Sequence, residues 1–398
     1  MLYQQILNKF QVELHNLLCF YLNGCYLNKK SHLFYPFIDK INTKVFKTHF
    51  QRLYKLLSQL KINTEKRNVL FSFLKEDRFN SEEIAFIISK LYEIFDEILN
   101  NFKSEVKEIK IECKKNFDPS VYEKIDENYL KPAILLWKYA NKSLKEYLLG
   151  FYIHGSISTL DYVKGYSDLD TLIIVKKDTI ANYKKLILLR KKIISSLRFL
   201  FMLDPFQHHE HFIFTEYDMK YYPQFFFPLV IFNYSTSLLE NGKILYFYER
   251  DCNLENLEIL KKRLEYFKEK YEKQEIPNNL FEMKYFLSTI MLMPALYLQA
   301  RGIYIYKKFS FEKARKDFPK KVWNIINQAT KIRANWRIIS ILPKWVRELL
   351  KFYPNPIFLK VFDLKFNNKI PQWIMNILGN SYLENAYILA KEMFSKIS

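Results

Sequence analysis

Through the first 147 positions apolar residues recur at three- and four-residue steps, as in Phe46, Phe50, Leu53, Leu56 and Leu57, a period that predicts amphipathic helices. Ser81-Glu82-Glu83 reads as a helix start, with Ser81 as N-cap and acids in the first turn. Ile84, Ile87, Ile88, Leu91 and Ile94 then form its apolar side. Another helix is expected to begin near Asp118-Pro119-Ser120, and a long amphipathic stretch leads up to Tyr147. No catalytic constellation is visible in this region.

The pattern changes at Leu148. Leu148 to Ile153 is a short β-prone run ending at His154-Gly155-Ser156, and Asp168 to Val175 is a second one after a loop. Asp178 to Leu203 reads as a helix with Leu186, Leu189, Ile193, Leu197 and Leu200 on its buried side. Gln207 to Thr215 is expected to be a third strand, Phe225 to Leu239 a helix, and Ile244 to Tyr248 a further strand. After Asp251 the helical period returns, with helices over Asn253 to Lys273 and Phe281 to Gln299. One more is expected to be capped by Ser310 and to run through Phe311, Ala314 and Phe318. The tail, with Trp323, Trp336, Trp345 and Trp373, continues as packed helices. This layout predicts an α+β protein with a helical region over 1–147, a small mixed-sheet unit over 148–250 and a helical region over 251–398.

Composition narrows the class. Hydrophobic residues make up 49% and aromatics 17% of 398 residues, with seven glycines, which excludes disordered and collagen-like chains. Lys and Arg exceed Asp and Glu by enough to give a net charge of +20, a field that attracts anions. The lysines are spread over the whole length with no dense basic tract, so a nucleic-acid partner is not favoured on charge. Cys19, Cys25, Cys113 and Cys252 fit neither a metal motif nor a disulfide framework, and reduced thiols in a cytoplasmic protein are the simplest account. The N-terminus lacks the pattern of a signal peptide. The apolar runs Phe225 to Phe232 and Phe286 to Ala300 fall short of the roughly 20 residues that span a bilayer, so no membrane span is expected.

Candidate chemistry sits where the pattern changes. In an extended chain Asp168 and Asp170 point the same way and Leu169 points into the core. Adjacent carboxylates repel, and a divalent cation with oxygen ligands, most naturally Mg²⁺, neutralises them. Gly155-Ser156, separated from Asp168 by eleven intervening residues, supplies backbone that a polyphosphate can approach closely and a hydroxyl donor. Phosphate cradle and carboxylate-held metal together suit phosphoryl or nucleotidyl transfer.

Gly155, Ser156, the spacer and Asp168-Leu169-Asp170 together resemble the signature of the DNA polymerase β-like nucleotidyltransferase superfamily, over about 100 residues from Leu148 to Tyr248. Thr171 is less apolar than the pattern expects, and Gly165-Tyr166-Ser167 is similar to the small-residue turn before the first aspartate. The resemblance implies a nucleotidyltransferase core between the two helical regions. It implies Mg²⁺ (or Mn²⁺) on Asp168 and Asp170, an NTP (ATP foremost) near Gly155, Ser156 and Ser167, and transfer of a nucleoside monophosphate to a hydroxyl acceptor with release of pyrophosphate. It also implies a third acidic residue as metal ligand or base. Glu210 has the better position, with Asp204, His208 and His209 as alternatives. Helical domains of antibiotic-modifying members supply a lysine to the phosphates, for which Lys308 is the candidate, with Lys307 beside it. The cluster His208-His209-Glu210-His211 lacks the HExxH spacing and a nearby cysteine, which weighs against structural zinc. Two other classes remain open: a catalytically weak nucleotide-binding regulatory or toxin–antitoxin-type protein, and an RNA-binding protein.

Overall fold

The structure is a computed structural model and describes residues 2–23, 43–60, 64–76, 79–102, 105–204, 206–239, 244–336 and 370–397. Cys25 and Trp345 lie outside the described residues. The chain is rich in helix and holds two small mixed sheets, an α+β arrangement.

Four helices open the chain: α1 (Leu2–Asn23), α2 (Thr43–Leu57), α3 (Thr64–Leu74) and α4 (Ser81–Asn101). The cap of α4 is Asn80, one residue before the expected Ser81. Its carboxamide oxygen accepts from the N–H groups of Glu82 and Glu83, and the Glu83 carboxylate accepts from the Asn80 N–H. Two strands that the helical period hid follow, β1 (Lys107–Glu112) and β2 (Lys115–Asn116). β1 does alternate, with Ile109 and Ile111 half-buried and Glu108, Lys110 and Glu112 exposed, but both strands are too short to stand out beside the helical period. Asp118 then caps α5 (Pro119–Tyr139) where expected.

The central part runs β3 (Leu148–Ile153), the short α6 (Gly155–Thr159), β4 (Thr171–Val175), α7 (Lys177–Ala181), α8 (Tyr183–Leu203), β5 (Phe212–Thr215), the short α9 (Glu216–Met219), β6 (Tyr222–Pro223), β7 (Thr236–Ser237) and β8 (Ile244–Arg250). The expected helix from 178 to 203 is broken at Asn182, whose side chain accepts from Lys184 and Lys185 and restarts it. Over 225–239 the expected helix does not form. A turn, a 3-10 segment (Leu229–Tyr234) and β7 take its place, because Pro228 cannot continue a helix and β7 pairs with the free edge of β3.

One sheet has the order β2-β7-β3-β4-β5, with β3 antiparallel to β4 and β4 parallel to β5. The other, β1-β8-β6, pairs a strand from before β3 with one from after β7. Leu172, Ile173, Ile174 and Val175 are all fully buried, as a central strand covered on both faces requires. Each such side chain contributes roughly 1.5–3 kcal/mol of burial. α8 covers one face with its expected residues Leu186, Leu189, Ile193, Leu197 and Leu200, beside α1, α4 and α5. That core runs without a break from Ile6 to Leu239, across residue 147.

A second core lies among α10 (Asn253–Glu272), α11 (Leu280–Ala300), α12 (Lys307–Arg315), α13 (Lys320–Ala334), α14 (Gln372–Leu378) and α15 (Tyr382–Ser395). α12 begins four residues before expected, after Tyr306. Ser310 lies inside it and returns its hydroxyl to the Lys307 carbonyl instead of capping. No helix among the described residues is long and apolar enough to cross a membrane.

Candidate metal and phosphate site

The site forms where β3 and β4 leave their sheet side by side. The His154 N–H donates to the Asp170 carbonyl at 3.0 Å, extending the ladder by one rung beyond the strands. Gly155 follows with φ +68°, and a Cβ there would fall on the Asp170 carboxylate. Only glycine meets both demands, a left-handed backbone and a carboxylate against it.

The turn before Asp168 is pinned from two sides. Tyr129 on α5 accepts from the Gly165 N–H at 3.2 Å and donates to the Ser167 carbonyl at 3.3 Å. Ser156 donates to the Ser167 hydroxyl at 2.9 Å, and that hydroxyl also accepts from the Val163 N–H. Tyr166, between them, is buried in the core of the C-terminal helices, 3.3 Å from Ser288 and edge-on to Trp336. The spacer therefore ties the sheet to the helical region that follows it.

Leu169 is fully buried, while Asp168 and Asp170 lie on the opposite side at partial exposure. Lys284 of α11 reaches them from the second core. Its ammonium, with a fully buried side chain, donates to Asp168 Oδ1 at 2.8 Å and to Asp204 at the end of α8. The other oxygen of Asp168, Oδ2, faces His208 Nδ1 at 3.3 Å and His209 Nε2 at 3.4 Å. His209 Nε2 also lies 2.9 Å from Asp170 Oδ1.

These contacts set the charges. Burial alone would raise Asp168, but Lys284 and His209 outweigh it and hold the carboxyl well below its usual range. Asp170 is likewise lowered against burial, chiefly by His209. Burial opposes the charged form of His209, yet its bonds to both aspartates raise it well above an ordinary imidazole. His208, without such bonds, is pushed by burial down to about 3 and is neutral. Burial and the charge of Asp168 raise Asp204 to about 6 against the pull of Lys284.

The structure brings together Gly155, Ser156, Ser167, Asp168 and Asp170. Of the candidates for a third group, His208 and His209 reach Asp168, and Asp204 joins through Lys284. Glu210 is not part of the ligand cluster formed by Asp168, His208 and His209, and its charge is felt instead by the Cys19 thiol. The ladder of β5 starts only at Phe212, so 207–210 is not held to strand alternation and two successive histidines turn to the same carboxylate. His211 leaves the cluster for the core, bonded to Thr171 at 2.6 Å and Ser196 at 2.9 Å, which explains a threonine where the pattern expects an apolar residue.

Lys308 turns away to an exposed ion pair with Asp161 at 2.6 Å. Lys307 is the lysine that feels the aspartates. Burial and Arg333 lower it, while Asp170 and Asp168 act the other way. Lys284 was missed in the sequence, although one signal existed: a lone lysine among the buried positions of a mostly apolar helix.

The donors suit a divalent cation. One ligand atom from each of Asp168, His208 and His209 lies within 4.8 Å of the others, and His208 Nδ1 is buried without a hydrogen-bond partner. No family model, curated protein or solved structure matches the chain.

Proposed function

We propose that the chain is a metal-dependent nucleotidyltransferase, moving a nucleoside monophosphate from an NTP to a hydroxyl acceptor. One observation carries the reading: the Gly155-Ser156 turn at the end of β3 lies directly against Asp170, with Asp168 beside it. A phosphate-binding turn beside paired carboxylates is what the resemblance to the polymerase β-like superfamily implies, and this proximity supports that reading.

In this reading Asp168 and Asp170 hold the divalent ion. Bound there, it would supply positive charge to the phosphates as the transfer proceeds. Gly155 leaves the backbone open to close approach by a phosphate, and the Ser156 hydroxyl donates to it once freed from Ser167. Lys307, desolvated by burial and repelled by Arg333, adds a cation whose charge the aspartates feel. The acceptor oxygen bonds to the α-phosphorus as the bond to pyrophosphate breaks, and the acceptor's hydroxyl proton passes to solvent.

A second reading, a nucleotide-binding regulator without turnover, is favoured by a specific feature. Lys284 and His209 already neutralise the aspartates, so the pair does not need a metal to be tolerated in the fold. Titration calorimetry of ATP, GTP, CTP and UTP with Mg²⁺ or Mn²⁺, on wild type and Asp168→Asn/Asp170→Asn, tests both. Metal-dependent binding lost in the double variant, followed by pyrophosphate release with an acceptor, is the expected result. Binding without turnover across an acceptor screen favours the regulator. No NTP binding with either metal overturns both.

A further inference from the structure

We infer that Asp168, His208 and His209 form a mixed nitrogen–oxygen site for a first-row transition dication, selective against Mg²⁺. The inference deepens the nucleotidyl-transfer reading by naming its cation, and it rests on geometry of its own.

The resemblance leads one to expect an all-carboxylate site, which a hard ion such as Mg²⁺ prefers. Two of the three groups gathered here are imidazoles, and imidazole donors favour Fe²⁺, Co²⁺, Ni²⁺, Cu²⁺ or Zn²⁺ instead. The spacing agrees. Donors about 2.1 Å from a tetrahedral centre are about 3.4 Å apart. Asp168 Oδ2 stands 3.3 Å from His208 Nδ1 and 3.4 Å from His209 Nε2.

The surroundings orient each donor. Lys284 occupies Asp168 Oδ1, so this carboxylate offers the histidines one oxygen rather than a chelating pair. A bound ion would take the place of the Nε2 proton that His209 shares with the aspartates, while Nδ1, 3.2 Å from the Glu210 carbonyl, would keep its own. Gln207 stands 3.1 Å from the same Nδ1, with its own Oε1 buried and unpaired. His208 Nδ1 is also buried without a hydrogen-bond partner, although an unpaired buried polar atom costs about 1–3 kcal/mol. A bound ion uses that lone pair. Asp170 Oδ1, 2.9 Å from His209 Nε2, is placed to complete the set.

The test uses the full chain stripped of metal by chelation and titrated with Co²⁺, whose visible d–d absorption reports nitrogen ligands. A single equivalent is expected to bind, to be displaced by Zn²⁺, and to survive a large excess of Mg²⁺. His208→Gln and His209→Gln, with wild-type circular dichroism, are expected to weaken Co²⁺ by more than about 100-fold, since even an outer hydrogen-bond partner is worth roughly 10–100-fold. Displacement by Mg²⁺ at equal concentration, or Co²⁺ affinity unchanged in both folded histidine variants, overturns the inference. If those variants unfold, the wild-type contest between Co²⁺ and Mg²⁺ still decides it. Repeating the titration with each NTP separates the two readings. Co²⁺ bound with no NTP bound leaves this site standing and removes nucleotidyl transfer. Mg²⁺–NTP bound with no Co²⁺ spectrum does the reverse.

Discussion

Lys284 Nζ lies 2.8 Å from Asp168 Oδ1, and with that bond a helix of the second core reaches into the end of the first sheet. The same ammonium binds Asp204, so one fully buried side chain joins α11, the β4 entrance and the end of α8. A buried ion group adds little net stability over an apolar packing, but it is costly to break, because each partner left behind is an unpaired buried charge.

Lys284→Met is therefore expected to destabilise the protein by about 3–5 kcal/mol, the cost of breaking a buried pair by removing one partner. Lys284→Met/Asp204→Asn is expected to recover part of the loss, because one of the two stranded carboxylates is gone. Urea denaturation of the three proteins measures both. Equal stability of Lys284→Met and wild type would show that the ion group is not closed in solution.

Gly155→Ala meets two penalties at once. The left-handed backbone costs an L-residue about 1–2 kcal/mol, and the new methyl must displace the Asp170 carboxylate. A lowered Tm together with loss of metal-dependent NTP binding is expected. A variant that binds NTP as wild type does would remove Gly155 from the phosphate turn.

Lys307 and Lys308 are adjacent in sequence but separate in role. Lys308→Ala loses an exposed ion pair to Asp161 and should change stability by less than about 1 kcal/mol, with NTP affinity kept. Lys307→Met removes a cation that the aspartates feel, and NTP affinity is expected to fall roughly tenfold, the about 1.4 kcal/mol of one charge-assisted contact. Calorimetry on the pair decides which lysine faces the nucleotide.

The pH dependence of the ion-free protein follows from His209. Its folded-state pKa is raised above the ordinary 6.5, so the stability it contributes is fully present below that value. It is lost as pH rises through the folded value, when the imidazolium between Asp168 and Asp170 deprotonates. The Tm advantage of wild type over His209→Gln is expected to be largest near pH 6 and to shrink toward pH 9. A difference constant over that range would mean that His209 is neutral in the fold.

Much of the frame was legible along the chain. β3 lies over the expected Leu148 to Ile153, α8 buries the expected leucines and isoleucines, and α11 spans the expected apolar stretch. These elements declare themselves because the period of burial is written locally, residue by residue. The pairing of Gly155-Ser156 with Asp168 and Asp170 was equally visible, since the strands that flank them pair side by side and bring their ends together.

What surrounds that pair was settled only in three dimensions. β1 is a short edge with only Ile109 and Ile111 on its apolar face, and it becomes a strand because β8, more than 130 residues later, offers it a partner. The segment 225–239 is apolar enough for a helix, yet Pro228 and the open edge of β3 turn it into β7. His208 and His209 reach one carboxylate because the chain before Phe212 escapes strand alternation, a freedom that no periodic pattern records. Lys284 arrives from 116 residues beyond Asp168. The sequence determined which groups could do chemistry and which local elements carry them. Their counter-charges and ligand partners come from distant segments, and only the packing of one core against another decides which of those segments meet.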